Sequence, residues 1–172
     1  MATGYSNKLA QSATGVVTAP TQAARWESGK TLTVTGQYNL TSSGLTSATN
    51  TTNSTYTIQM VPIPAGATVV DWVLSATDVD THTTATVTLN IGDGTDLSRF
   101  ASALTTGQAG GNAVASSGVT ITTSSGTINK GLGFTYTSAD TIDITVAAGP
   151  ATTATSGAIL LTVTYYCGEA TI

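Results

Sequence analysis

Charge is what this chain has least of. Charged side chains make up 8% of its 172 residues, where an ordinary soluble domain carries about 25%. One histidine and one cysteine leave imidazole acid–base chemistry, thiolate nucleophiles and soft metal sites almost nothing to draw on. Cys167 has no second cysteine to pair with, so no internal disulfide supports the fold. Beside Ile159, Leu160, Leu161, Tyr165 and Tyr166 it reads as a small, partly buried hydrophobe. The basic residues Lys8, Arg25, Lys30, Arg99 and Lys130 are scattered, and without a basic stripe to neutralise phosphates nucleic acid is not expected as a partner. No apolar run is long enough to span a bilayer, so no membrane partner is expected. The first residues also lack the basic-then-apolar layout of a secretory signal.

What fills the space is threonine at β spacing. Leu32, Val34 and Tyr38 alternate with Thr31, Thr33 and Thr35, and Tyr56, Ile58 and Met60 with Thr55, Thr57 and Gln59. Val70, Trp72 and Leu74 face one way against Asp71 and Ser75; Ala85, Val87, Leu89 and Ile91 stand against Thr84, Thr86, Thr88 and Asn90. The same period joins Val119 to Ile121, Leu132 to Phe134 and Tyr136, Ile142 to Ile144 and Val146, and Ile159 to Leu161, Val163 and Tyr165. About eight strands with one apolar face each predict an all-β fold, with antiparallel sheets packed on one core. An antiparallel β-sandwich of the jelly-roll kind fits that number, with a closed barrel as the alternative; periodicity does not give the strand order.

The chain divides into an extended N-terminal arm, residues 1–30, and a sandwich domain, residues 31–172. The arm is small and polar, with Leu9, Val16, Val17 and Trp26 as isolated apolar groups. They are too few for a core and are read as anchors that bind a neighbouring subunit or another partner. A short helix is expected over residues 96–104, where Asp96 can cap and Leu97, Phe100, Ala101 and Leu104 share a face. Residues 105–112 are glycine-rich and read as a strand connection, since they match neither a P-loop nor a dinucleotide fingerprint.

Four carboxylates gather mid-chain, Asp78, Asp80, Asp93 and Asp96, with His82 between them. Oxygen-rich loops of this kind can hold Ca²⁺. However, the run from Asp78 to Thr83 has no glycine at its sixth position, and Gly92-Asp93-Gly94-Thr95-Asp96-Leu97 has no second copy to stack on. Asp/Gly turns between strands are the plainer reading, and no metal or cofactor is expected. His82 lacks a nucleophile elbow and reads as a solvated loop residue. Asp140 with Asp143, or Glu27 with Glu169, are the acid pairs a glycosidase would need. Asp140 reads instead as the turn that starts a strand and Asp143 as a residue of its solvent face. Trp72 and the Tyr165-Tyr166 pair offer sugar-stacking rings, but alternation sends one of the two tyrosines into the core. The chain is therefore read as a binding or structural part and not as an enzyme.

The stretch Val61-Pro62-Ile63-Pro64-Ala65-Gly66-Ala67-Thr68-Val69-Val70-Asp71, followed by Thr88-Leu89-Asn90-Ile91-Gly92-Asp93-Gly94-Thr95-Asp96 and Arg99-Phe100, resembles small virion proteins of tailed bacteriophages. These include capsid decoration, cement and head-fibre proteins. The resemblance implies a structural protein, made in the host cytoplasm, that binds the major capsid protein or another virion protein on the outer capsid surface and stabilises the shell. It also implies a homo-oligomer, a trimer above other states, and brings no catalytic or cofactor residues. The alternative is a carbohydrate- or receptor-binding module of a tail fibre or head fibre.

Overall fold

The computed structural model describes residues 31–40, 45, 56–115, 121–123, 126–128 and 131–167. In chain order these form β1 (Thr31–Asn39), β2 (Tyr56–Ile63), β3 (Ala67–Ala76), β4 (Thr88–Gly92), β5 (Ala101–Leu104), the single-turn α1 (Thr106–Ala109), β6 (Gly111–Val114), β7 (Ile121–Thr123), β8 (Gly126–Ile128), β9 (Asp140–Ala148) and β10 (Ala158–Cys167). One sheet has the order β1-β10-β3-β6 and the other β2-β9-β4-β5-β8-β7.

The pairings are nested. β1 pairs with β10, β2 with β9, β3 with β6 and β4 with β5, all antiparallel, as if one long hairpin had been laid out flat. Two further pairings, β10 with β3 and β9 with β4, roll that hairpin into two layers. This is the connectivity of a jelly roll. The β7–β8 hairpin extends one sheet through β5.

The core between the layers holds Trp72, Phe100, Leu74, Leu89, Ile144 and Leu161, none more than 1% exposed. The alternation read from the sequence places most of these residues. Leu89, Ile91, Ile142, Ile144, Val146, Ile159, Leu161, Val163 and Tyr165 are all buried, while Thr33, Thr35 and Thr57 are exposed. β-branched threonine suits a pleated face that meets water without charge. Cys167 is buried as a small apolar filler.

Three expectations need correction, and bulges or turns explain each. Val70 is exposed and Val69 buried, because β10 pairs Thr164 with Asp71 but Tyr165 with Val69. Val70 is the extra residue of a β-bulge, which shifts the inward set by one. The expected helix over residues 96–104 is a turn followed by β5. Leu104 faces Leu89 and Ala101 faces Ile91, so Ser102 and Ala103 both oppose Asn90. Ala103 takes φ 54° and donates its N–H to the Asn90 side chain at 2.8 Å. An inward spacing of three residues, produced here by a bulge, imitates helical period.

The expected strand over residues 132–136 is also a turn. Gly133, at φ 85°, closes it with a Phe134 N–H to Gly131 carbonyl bond of 3.2 Å. Tyr136 is buried, whereas Phe134 remains 36% exposed. The glycine-rich connection over residues 105–112 contains α1 and the start of β6. Val119 lies outside the described residues, and Ile121 falls in β7.

Trp72→Ala is expected to cost about 3–5 kcal/mol in a denaturant melt, as for other large core truncations. Phe134→Ala, at a half-open site, should cost less than about 2 kcal/mol. Equal losses at the two positions would contradict this division into core and surface.

Candidate functional site

A rolled hairpin gathers its connections at two ends. Residues 77–87, 105–110 and 149–157 meet at one end, here the far end; residues 64–66, 93–100 and 131–139 meet at the other. Thr31 begins β1 and Cys167 closes β10 at this second end, so residues 1–30 join the sandwich there. It is the arm end.

At the far end the organising group is Asp80, which is 1% exposed. Its Oδ2 accepts backbone N–H groups of Thr86 at 2.7 Å, Val87 at 3.1 Å and Ala151 at 3.0 Å. Its Oδ1 accepts those of Thr152 at 2.9 Å and His82 at 3.4 Å. One carboxylate thus ties the β3–β4 loop to the β9–β10 loop. Burial alone would raise its pKa, but the N–H groups of Thr152, Thr86, Ala151 and Val87 outweigh that and hold it at about 2.

At the arm end Asp93, also 1% exposed, has the corresponding place. Its Oδ1 accepts the N–H groups of Thr95 at 2.9 Å and Asp96 at 2.8 Å, which shape the turn. Its Oδ2 accepts Arg99 Nε at 2.5 Å and the Tyr136 hydroxyl at 3.0 Å. Burial opposes its ionisation, yet Arg99, the two N–H groups and Tyr136 prevail and keep it below the ordinary carboxylate range. The Arg99 guanidinium lies 3.8 Å over the Phe134 ring, and Phe134 meets Tyr136 edge-on with centroids 5.0 Å apart. Asp93, Arg99, Phe134 and Tyr136 thereby fasten the β4–β5 loop to residues 131–136.

Asp143 lies on the outer side of its sheet, as read from the sequence, but it is only 3% exposed and not on a solvent face. Gly92 opposes it across β4, and the 93–100 loop folds back over that glycine. A Cβ on Gly92 would overlap the carbonyl groups of Asp96 and Leu97, so only glycine lets the loop lie this close. Beneath it, Asp143 Oδ1 has no hydrogen-bond partner. Burial, with Asp140 and Asp93 nearby, pushes Asp143 up to about 6 against the pull of the Thr141 hydroxyl.

The four mid-chain carboxylates do not converge. Asp78 and Asp80 belong to the far end, and Asp93 and Asp96 to the arm end. Asp78 accepts the Asp80 N–H, and Asp96 accepts the N–H and hydroxyl of Ser98. No group of three His, Cys, Asp or Glu placed to hold a metal ion occurs among the described residues. His82 is exposed in its loop. Asp140 starts β9, Trp72 and Tyr165 fill core, and Tyr166 is exposed. Leu9, Val16, Val17, Trp26, Glu27 and Glu169 lie outside the described residues. Sequence reasoning missed the Asp93–Arg99–Tyr136 group; the six-residue step from Asp93 to Arg99 was its only local signal.

Five large hydrophobics are exposed among the described residues: Val70, Leu97, Val114, Phe134 and Tyr166. Leu97 and Phe134 lie in arm-end loops. Tyr166 pairs with Thr31 and Thr68 beside them, and Val70 follows Val69, whose N–H bonds the Phe134 carbonyl at 3.1 Å. Four of the five thus lie toward the end at which Thr31 begins β1; Val114 lies on β6 opposite Val73.

No family model and no curated protein matches the chain. Solved structures do. A chain of the Cyanophage Pam1 capsid asymmetric unit is 29% identical with a TM-score of 0.58, over 91% of this chain and 96% of that one. A chain in the capsid of Ralstonia phage GP4 matches with a TM-score of 0.63, over 91% of this chain and 94% of that one; at 24% identity this likeness speaks for the fold. These likenesses support a structural protein of a phage virion. The likeness to chains of phage capsids extends over most of the chain, beyond residues 60 to 100.

Asp80 gives the far end a pH signature. Because its folded pKa lies below the unfolded value of 3.8, its stabilisation is complete above about pH 4 and is lost as pH falls toward 2. That loss should reach about 2 kcal/mol. In acid titrations of stability the wild type should lose this much more than Asp80→Asn, and parallel curves for the two would contradict the assignment.

Proposed function

We propose that this virion protein decorates the capsid, binding the outer shell with its arm end and acting as a cement without catalytic activity. The observation that carries the proposal is the gathering of Val70, Leu97, Phe134 and Tyr166, each 36% to 41% exposed, at the end where residues 1–30 join. Exposed apolar residues held on a rigid frame mark an interaction site when they cluster. Here Asp80 and Asp93 keep the frame rigid, and Arg99 is turned inward onto Asp93 and Phe134. The charges beside this surface are the exposed carboxylates of Asp71, next to Val70, and Asp96, next to Leu97.

The arm completes the grip. Leu9, Val16, Val17 and Trp26 supply apolar anchors on a segment long enough to cross a neighbouring subunit, since 30 extended residues span up to about 100 Å. Anchoring through both arm and arm end raises avidity without requiring either contact to be strong. The major capsid protein is the proposed partner, and a homotrimer the proposed oligomer, because a shell presents symmetric sites to copies that associate. The likeness to chains of phage capsids supports this destination.

Purified protein added to particles that lack it should bind saturably and raise the temperature at which they open. Leu97→Asp and Trp26→Ala should each weaken binding about 30-fold, as expected for contacts worth about 2 kcal/mol. Thr83→Asp, at the exposed far end, should change nothing, and none of the three should shift stability by more than about 0.5 kcal/mol. Unchanged binding by the first two variants, or binding to host-cell glycan in place of particles, would overturn the proposal.

A further inference from the structure

We infer that Asp143 is a proton-operated latch, which holds the 93–100 loop against the sheet when protonated and releases it when ionised. The inference concerns the chain by itself and stands apart from what the arm end binds.

The geometry is specific. Asp143 occupies the outer face of β9, flanked in register by Gln59 of β2 and Gly92 of β4. It is 3% exposed, and its Oδ1 has no partner. The loop crosses at Gly92 so tightly that a Cβ there would overlap the carbonyls of Asp96 and Leu97. The loop groups that crowd Gly92, the cross-strand neighbour of Asp143, are carbonyls, which repel an anion and tolerate a neutral acid.

The charged groups around it are also mostly of the wrong sign for a carboxylate. Asp140 begins the same strand, and its Oδ1 would lie 3.8 Å from a Cβ on Gly94 in the loop. Asp93 belongs to the loop and is held ionised by Arg99, two N–H groups and Tyr136. Among the described residues Arg99 is the one cation in the group, and it is committed to Asp93 and to the Phe134 ring. The Thr141 hydroxyl is the side-chain donor that favours ionised Asp143. A second carboxylate under this loop therefore lacks compensation, and a buried group so placed either keeps its proton or gains water by local opening.

The direction of the pH effect follows. The carboxyl ionises at about 6 when folded, against 3.8 for an ordinary aspartate. Below about pH 4 both states are protonated. Between 4 and 6 the unfolded chain ionises while the folded one keeps its proton; above 6 the folded chain carries the buried charge. Folding is thus weakened as pH rises through 4 to 6. The loop is the segment that can relieve the strain, because its lifting exposes Asp143 without breaking the β9 pairings. Lifting also moves Leu97 and Arg99, which belong to the arm end.

The test combines carboxyl-carbon NMR of the full chain with amide exchange, corrected for its intrinsic pH dependence. The Asp143 carboxyl should titrate near pH 6. Protection of the Asp93, Asp96 and Arg99 amides, which bond within the loop, should drop several-fold, up to about 10-fold, between pH 5 and 7.5. In Asp143→Asn it should stay constant, and over that range the wild-type unfolding constant should rise about 10-fold relative to this variant. If the variant does not fold, the wild-type titration and exchange decide alone. Titration near pH 4, loop protection indifferent to pH, or suppression of the titration by millimolar Ca²⁺, which would assign the site to a cation, would each overturn the inference.

Discussion

The structure depends on how the two ends of a rolled hairpin are closed. Sheets satisfy their own backbone groups, but the loops at each end leave N–H groups that must be paired before they can be buried. A chain with so few charges meets this need chiefly with one buried, multiply hydrogen-bonded carboxylate per end. Asp80 accepts five backbone N–H groups from two loops; Asp93 accepts two, together with the side chains of Arg99 and Tyr136. Each is charged inside the protein because its donors are fixed in place, which is the condition under which a buried anion stabilises.

The scarcity of charge then acquires a functional meaning. Among the described residues the acids Asp80, Asp93 and Asp143 are buried, so the surface these residues present is more neutral still than the composition suggests. The outer face of the β1-β10-β3-β6 sheet illustrates this. Threonines pair across it, Thr33 with Thr164 at 3.0 Å and Thr35 with Thr162 at 2.9 Å, and Asp71 is the charged residue that strands β1, β10 and β3 place there. Such a surface can lie beside a neighbour at little desolvation cost. In the proposed function, apolar groups at the arm end would add affinity where the uncharged walls add tolerance.

Much of this fold was legible because threonine and apolar residues alternate so regularly. Wherever the chain obeys period two, as from Ile159 to Tyr165, the buried face follows directly; from Ile142 to Val146 it gives the core-facing set, although Asp143 and Thr145 between them are buried as well. It failed at Val70 and over residues 96–104 for one reason: a bulge adds a residue to one strand, and its register is set by a partner distant in sequence. Phe134 was misplaced because Gly133 turns the chain where alternation alone continues a strand. The carboxylates were legible as turn formers, but not their burial. Asp143 sits at an outward position of β9 and is nonetheless only 3% exposed, which alternation along one strand does not report. No local pattern joins Asp93 to Tyr136, 43 residues away.

The account stands or falls on which end of the sandwich faces the virion. Hydrogen exchange of the protein, free and bound to particles, reads this directly, because each end has its own set of loop amides. Binding should protect residues 93–100 and 131–136 and leave residues 77–87 and 149–157 unchanged. Protection of the far-end loops with the arm end still exchanging freely would contradict it.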